Sequence, residues 1–413
     1  MRILLIAYYY PPQHDSGGQR PQKMARYLTG FGHDTFVLTS TYDRKAHAEG
    51  NVIRVYDPSH NMNRVGWRRF QWLALRTVIE LLNRLGIAAA IYSPWKNAVL
   101  RKAGEIIARA RPEAIIATYP PVETLEIGLH LSRKYNLPLV ADFRDGLLFE
   151  TIESTRLRRL ACIRKAYAAI ETQVAAAAAA LVTVSEPLSR YFRDTYGHPC
   201  VETVANGFDP EESVMPLPEA SLKPGCFHIV HTGRFALSDA GCDIAPLVEA
   251  LQGLLAARPG LERTLRLHLL GELSRREKRL LAGLARRGVA CLHGAVDRLQ
   301  ALAFQRRADL LLLVTAPNRS SVATTKIFEY LQARRPVLAL TGNTFAAEIV
   351  EKTRCGWVVP SQSERQIARV LERIILDADF RYAADMSPGA VEAYSFAHGC
   401  RRLAELLPSL SRR

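Results

Sequence analysis

Short apolar runs recur along the first half of the chain at 3–7, 35–38, 52–55, 114–117, 137–141, 181–184 and 201–204. Runs of this length, bounded by polar residues, suit buried strands. Longer stretches with helical spacing lie between most of them, so the pattern predicts a parallel sheet with helices on both faces. Punctuation agrees: Ser93-Pro94 suits an N-cap and first-turn proline, and Gly30-Phe31-Gly32 suits a helix stop before the next strand. The pattern lapses over residues 209–225 (DPEESVMPLPEASLKPG), a proline-rich stretch with an acidic cluster that reads as a linker. It resumes at 227–231, 264–269, 289–292, 310–314 and 336–340. The expectation is α/β: two Rossmann-like domains, 1–208 and 226–386, facing across a cleft. Ligands in such sheets sit beyond the carboxyl ends of the strands.

A length of 413 residues suits about two domains, and the 48% hydrophobic and 23% charged fractions exclude a disordered or fibrous chain. The formal net charge of +15 favours polyanions, anionic membrane surfaces or phosphorylated small molecules. Seven scattered cysteines form no C-x-x-C pair, which suits a reducing cytosol rather than a disulfide framework. Neither the apolar start nor the alanine-rich run at 174–184 is long enough for a bilayer span, so the chain is expected in the cytoplasm.

The segment TTKIFEYLQARRP, from Thr324 to Pro336, follows the run 310–314 and its loop, and so presents a helix N-terminus at a strand end. Free amides and the positive helix dipole make such a point a phosphate site. Thr325 and Lys326 open the helix, and Glu329 lies on the same face, where its carboxylate can accept hydrogen bonds from two ribose hydroxyls. An ordinary amphipathic helix with a surface Lys and Glu is the bland alternative. Gly233-Arg234 follows another strand and could meet a diphosphate from the opposite side; a solvent-facing Arg234 is its alternative. Gly17-Gly18, after the first strand, lets backbone amides approach a phosphate or sugar, or simply forms a tight turn.

Asp142, Arg144 and Asp145 follow the strand at 137–141. Asp145 could orient or deprotonate an acceptor hydroxyl, while Arg144 could hold a charged group or pair with either aspartate. His14, His231 and His293 also fall near loops and carry no assigned role. No G-x-G-x-x-G follows a strand, which disfavours nicotinamide and flavin, and no P-loop is present. Asp377-Ala378-Asp379 resembles a metal-binding D-x-D but sits at a helix end, so capping is expected and no metal or other cofactor. Residues 64–85 (RVGWRRFQWLALRTVIELLNRL), beginning at Arg64 and ending at Leu85, have the profile of an interfacial helix, with a sheet-covering helix as the equal alternative. No nucleic-acid module accompanies the basic charge.

Several segments together resemble glycosyltransferase family 4, the retaining nucleotide-sugar enzymes of the GT-B fold: SGGQRPQKMARYL, ADFRD, TVSEPL, ANGFD, HTGRF, HGAVDR and TKIFEYLQARRPVLAL. The resemblance spans nearly the whole chain. It implies that Lys326 and Arg234 contact a donor diphosphate, that Glu329 holds the ribose, and that Gly17-Gly18 lines the cleft near the reacting sugar. It also implies an acceptor-binding N-terminal domain, and a last helix within 387–413 that packs back towards it. Ser321 stands where many members carry a first glutamate, and no lysine follows Arg234 within residues 235–241. The expected activity is transfer of a sugar from a nucleotide diphosphate to a hydroxyl acceptor, with Asp145, Lys326 and Arg234 at the chemistry. Lipid-linked or membrane-proximal acceptors of bacterial surface polysaccharide are favoured. A GT-B nucleotide-sugar epimerase and a non-catalytic subunit of a glycan-assembly complex are the rival readings.

Overall fold

The computed structural model describes residues 1–12, 16–43, 49–57, 93–150, 161–237, 241–321, 323–382 and 386–410, with Phe70, Leu73, Ala74, Thr77, Val78, Leu81 and Leu82 in between. They form two compact units: Met1–Ala205 with Gly399–Arg413, and Asn206–His398.

The first unit holds β1 (Arg2–Ile6), β2 (Asp34–Thr41), β3 (Val52–Tyr56), β4 (Ala114–Tyr119), β5 (Leu139–Phe143), β6 (Ala180–Thr183) and β7 (Val201–Thr203), all parallel in the order β3-β2-β1-β4-β5-β6-β7. Every residue of β4 and β5 is buried, as central strands covered on both faces require. On one face of the sheet Ile3, Leu5, Val140 and Val182 share a core with Leu28 of the helix Ser16–Gly30. Cys400, Leu403 and Leu407 of the last helix, Phe396–Leu410, complete that core. The opposite face packs Leu4, Ile6, Ile115 and Ala141 against Trp95 and Leu125.

The second unit repeats the plan with β8 (Phe227–Thr232), β9 (Leu265–Leu270), β10 (Ala290–Gly294), β11 (Leu310–Val314), β12 (Val337–Thr341) and β13 (Gly356–Pro360), parallel in the order β10-β9-β8-β11-β12-β13. Both sheets have the Rossmann order, which reverses direction between β1 and β4 and again between β8 and β11. Loops leaving those strands splay apart and open a crevice at their carboxyl ends. Strand β13 is absent from the sequence pattern because, as an edge strand, it buries little beyond Val359.

Residues 209–225, expected as a linker, belong to the second unit and are fastened to it. Asp209 caps a short 3-10 helix, Pro210–Val214. Glu212 receives both terminal nitrogens of Arg298, at 3.0 and 2.7 Å, and the Asp209 carbonyl accepts the Gln332 side-chain amide at 2.6 Å. Prolines and lost periodicity made the segment read as a linker, yet Glu212 of its acidic cluster and the Asp209 carbonyl attach it to the second unit.

Candidate functional site

In the second unit the chain leaves β8 through Gly233 and Arg234. Gly233 has φ +94, and a Cβ there would lie 2.5 Å from Lys326 Cε. Glycine is therefore required twice, by the backbone and by the lysine lying across it. Gly271, after β9, meets the same point: its added Cβ would fall 2.1 Å from the Gly233 carbonyl oxygen. The loop after β11 delivers the helix Thr325–Ala333, whose N-cap, Thr324, makes no side-chain capping bond. Lys326 Nζ donates to the Arg234 carbonyl at 3.2 Å, so Gly233, Arg234 and Lys326 form one cluster at the crevice between β8 and β11. Burial lowers the lysine pKa, while Cys242 and Glu329 act in the opposite direction.

Glu329 sits one turn along the helix from Lys326. Gln305 Nε2 donates to its Oε2 at 3.1 Å, and Arg298 Nη2 stands 3.7 Å from its Oε1. Tyr330, buried beside it, accepts the Thr232 amide and donates to the Leu312 carbonyl, each at 3.2 Å, which ties the helix to both strands of the crevice. Arg234 does not stand open: it pairs with Glu272 at 2.8 Å, both side chains being about half exposed. His231 is fully buried beneath the cluster, with Nδ1 donating to Leu312 O at 2.9 Å and Nε2 without a hydrogen-bond partner among the described residues. Burial pushes its pKa down to about 3, and the neighbouring Lys326 adds to the shift.

In the first unit, Arg144 fastens the glycine loop. Its guanidinium donates to the carbonyls of Gly17, Pro120 and Tyr119, the last two at 3.0 and 3.2 Å. The loops leaving β1, β4 and β5 are thereby held as one surface. Asp142, expected to face an acceptor, is fully buried instead. Arg20 binds it through two nitrogens, at 3.0 and 2.7 Å, and Thr118 donates to it at 2.7 Å. The reason is register: Thr118 lies directly opposite Asp142 in the sheet, and Arg20 rises from the first turns of Ser16–Gly30 to neutralise the charge. Asp145, at the following turn, is half-buried. Glu171 holds the far side of this loop by accepting from the Leu148 amide and from Tyr191 and Tyr196, and burial raises its pKa.

Asp377 accepts the Phe380 amide at 2.9 Å, a capping contact, and among the described residues no group of three His, Cys, Asp or Glu gathers for a metal ion. Residues 64–85 lie largely outside the described residues. Phe70, Leu73, Val78 and Leu81 among them are exposed. No described helix is long and apolar enough to cross a membrane.

Comparison with family models decides what kind of protein carries this geometry: residues 17–207 match the glycosyl transferase 4-like domain, and residues 226–377 match glycosyl transferases group 1. The chain belongs to the GT-B glycosyltransferases. Three solved structures illustrate the fold. Sucrose-phosphate synthase from Thermosynechococcus elongatus is 16% identical, with a TM-score of 0.66 over 99% of this chain and 98% of that one. Anabaena HepE in complex with UDP is 17% identical, with a TM-score of 0.63 over 99% of this chain and 100% of that one. The UDP-forming trehalose-phosphate synthase from Burkholderia vietnamiensis is 14% identical, with a TM-score of 0.62 over 99% of this chain and 100% of that one. No curated protein sequence matches the chain. As a GT-B glycosyltransferase it uses a nucleotide sugar. Sequence reasoning missed Glu272, Gln305, Arg298, Arg20 and Thr118, because each acquires its role from a partner distant in the chain.

Proposed function

We propose that this glycosyltransferase moves a sugar from a nucleoside diphosphate to a hydroxyl acceptor with retention at the anomeric carbon. We further propose that the acceptor is lipid-linked or membrane-proximal, as in bacterial surface polysaccharide synthesis on the inner face of the cytoplasmic membrane. The observation that carries the reading is the cluster of Gly233, Arg234, Lys326 and the uncapped start of Thr325–Ala333, with Glu329 one turn behind. As the bond to the sugar breaks, charge builds on the departing diphosphate, and Lys326, Arg234 and the helix amides offset it. A metal is not needed for that task. A leaving phosphate oxygen takes the acceptor proton on the same face of the sugar, and Glu329 receives the ribose hydroxyls. Asp145 orients the acceptor hydroxyl, on a loop that Arg144 ties to Gly17.

A uridine carrier is supported by the UDP in the Anabaena structure and by the UDP-forming synthase. Membrane contact is supported by the net charge of +15 and by Phe70, Leu73, Val78 and Leu81, exposed among the arginines of residues 64–85. The test is a mass-spectrometric turnover screen of UDP-, GDP- and dTDP-sugars with membrane lipid extract. Turnover is expected with one carrier, and Lys326→Ala should lower it by about 100-fold. Normal turnover by Lys326→Ala would remove the lysine from the chemistry, and undiminished activity on a soluble acceptor without lipid would remove the membrane assignment.

A further inference from the structure

Gln305 is completely buried on the helix Arg298–Arg307, and its two contacts point the same way. Nε2 donates to Thr232 Oγ1 at 2.9 Å and to Glu329 Oε2 at 3.1 Å, while Oε1 has no hydrogen-bond partner among the described residues. A carboxylate only accepts, so Glu329 dictates which end of the amide faces it. The protein leaves a buried carbonyl oxygen unsatisfied to place that NH2 group between β8 and Glu329, an arrangement that packing alone would not select. Arg298 closes the other side. Its guanidinium is oriented by two hydrogen bonds to Glu212 and stands 3.7 Å from Glu329 Oε1.

An ionised carboxylate offers about four lone-pair directions. Gln305 takes one on Oε2, and Arg298 stands as an ion-pair partner 3.7 Å from Oε1, too far for a hydrogen bond, so each oxygen keeps an acceptor direction turned away from these two partners. We propose that Gln305, backed by Arg298, is a positioning residue that makes Glu329 a two-point acceptor for a vicinal diol, and so selects ribonucleotide over 2′-deoxyribonucleotide donors. The inference rests on Glu329 as the ribose contact. A 2′-deoxyribose satisfies only one of the two oxygens, and a carboxylate free to rotate no longer distinguishes them sharply.

The experiment is calorimetric binding of UDP and 2′-deoxyuridine diphosphate, with GDP and its 2′-deoxy form in parallel, to wild type, Gln305→Met, Arg298→Gln and Glu329→Ala. Wild type should prefer the ribose form by about tenfold to a hundredfold, the range of one charge-assisted hydrogen bond. Gln305→Met should bring the ratio to within about threefold of unity, and adding it to Glu329→Ala should change the ratio no further. Arg298 is partly exposed, so its replacement keeps the core intact should Gln305→Met fail to fold; it should lower the ratio by a smaller factor. Folded Gln305→Met with the wild-type ratio would overturn the inference, as would Arg298→Gln with that ratio if Gln305→Met does not fold. Wild type binding both sugars equally would overturn the ribose contact as well. If wild type bound no nucleoside diphosphate at all, the donor-site reading itself would fail.

Discussion

His231 offers a sharp test of the electrostatics under the proposed donor site. It is fully buried, its ring stacks on Phe235 with centroids 3.9 Å apart, and its pKa falls from 6.5 to about 3. A depressed histidine binds its proton more readily in the unfolded chain. Its contribution is therefore intact above the unfolded value and is lost as pH falls from 6.5 towards about 3. Between about pH 7.5 and about pH 5.5 the unfolded histidine becomes roughly 90% protonated while the folded one stays neutral. At about 1.36 kcal/mol per pKa unit, that costs about 1.4 kcal/mol of stability. His231→Phe isolates this cost. The aromatic stack on Phe235 survives, and the Leu312 carbonyl keeps the Tyr330 hydroxyl as its donor. The two units need not unfold together, so the assay is hydrogen exchange of peptides from β8 and β11, with opening free energies measured at both pH values. Wild type should lose about 1.4 kcal/mol more than the variant. Losses equal within about 0.3 kcal/mol would show that burial beneath Lys326 does not hold His231 neutral.

Two other substitutions probe the sites. Asp142→Ala should destabilise the first unit by about 3–5 kcal/mol, because it strands the buried Arg20 guanidinium; thermal unfolding with a loss below about 1 kcal/mol would refute that pairing. Glu272→Gln should tighten nucleoside diphosphate binding up to about fivefold, since Arg234 is released from an exposed pair worth at most about 1 kcal/mol. Calorimetry showing weaker binding would mean that Glu272 orients Arg234 rather than competing for it.

Much of the fold was legible because buried parallel strands leave a strong local trace. The all-buried β11, LLLLV, announces itself, whereas β13 does not, since an edge strand contributes little to the core. Lys326 and Glu329 were legible as a pair because helical spacing puts them on one face. The two acidic residues near Arg144 were not separable by sequence: β5 runs on through Asp142, where Thr118 and Arg20 enclose it, while Asp145 falls in the turn beyond.

Local pattern, then, determined the two α/β halves, the strand ends, and the helix that carries the lysine and carboxylate of the proposed donor site. Periodicity and helix polarity act over a few residues, so they are written in the chain. Tertiary structure decided which charges are consumed and which are offered. Arg20 meets Asp142 across 122 positions, and Gln305 reaches Glu329 across 24. Gly233 must be glycine because Lys326, far along the chain, lies across it. A side chain's charge is a property of its residue type, but desolvation and partnership come only from what the fold packs against it.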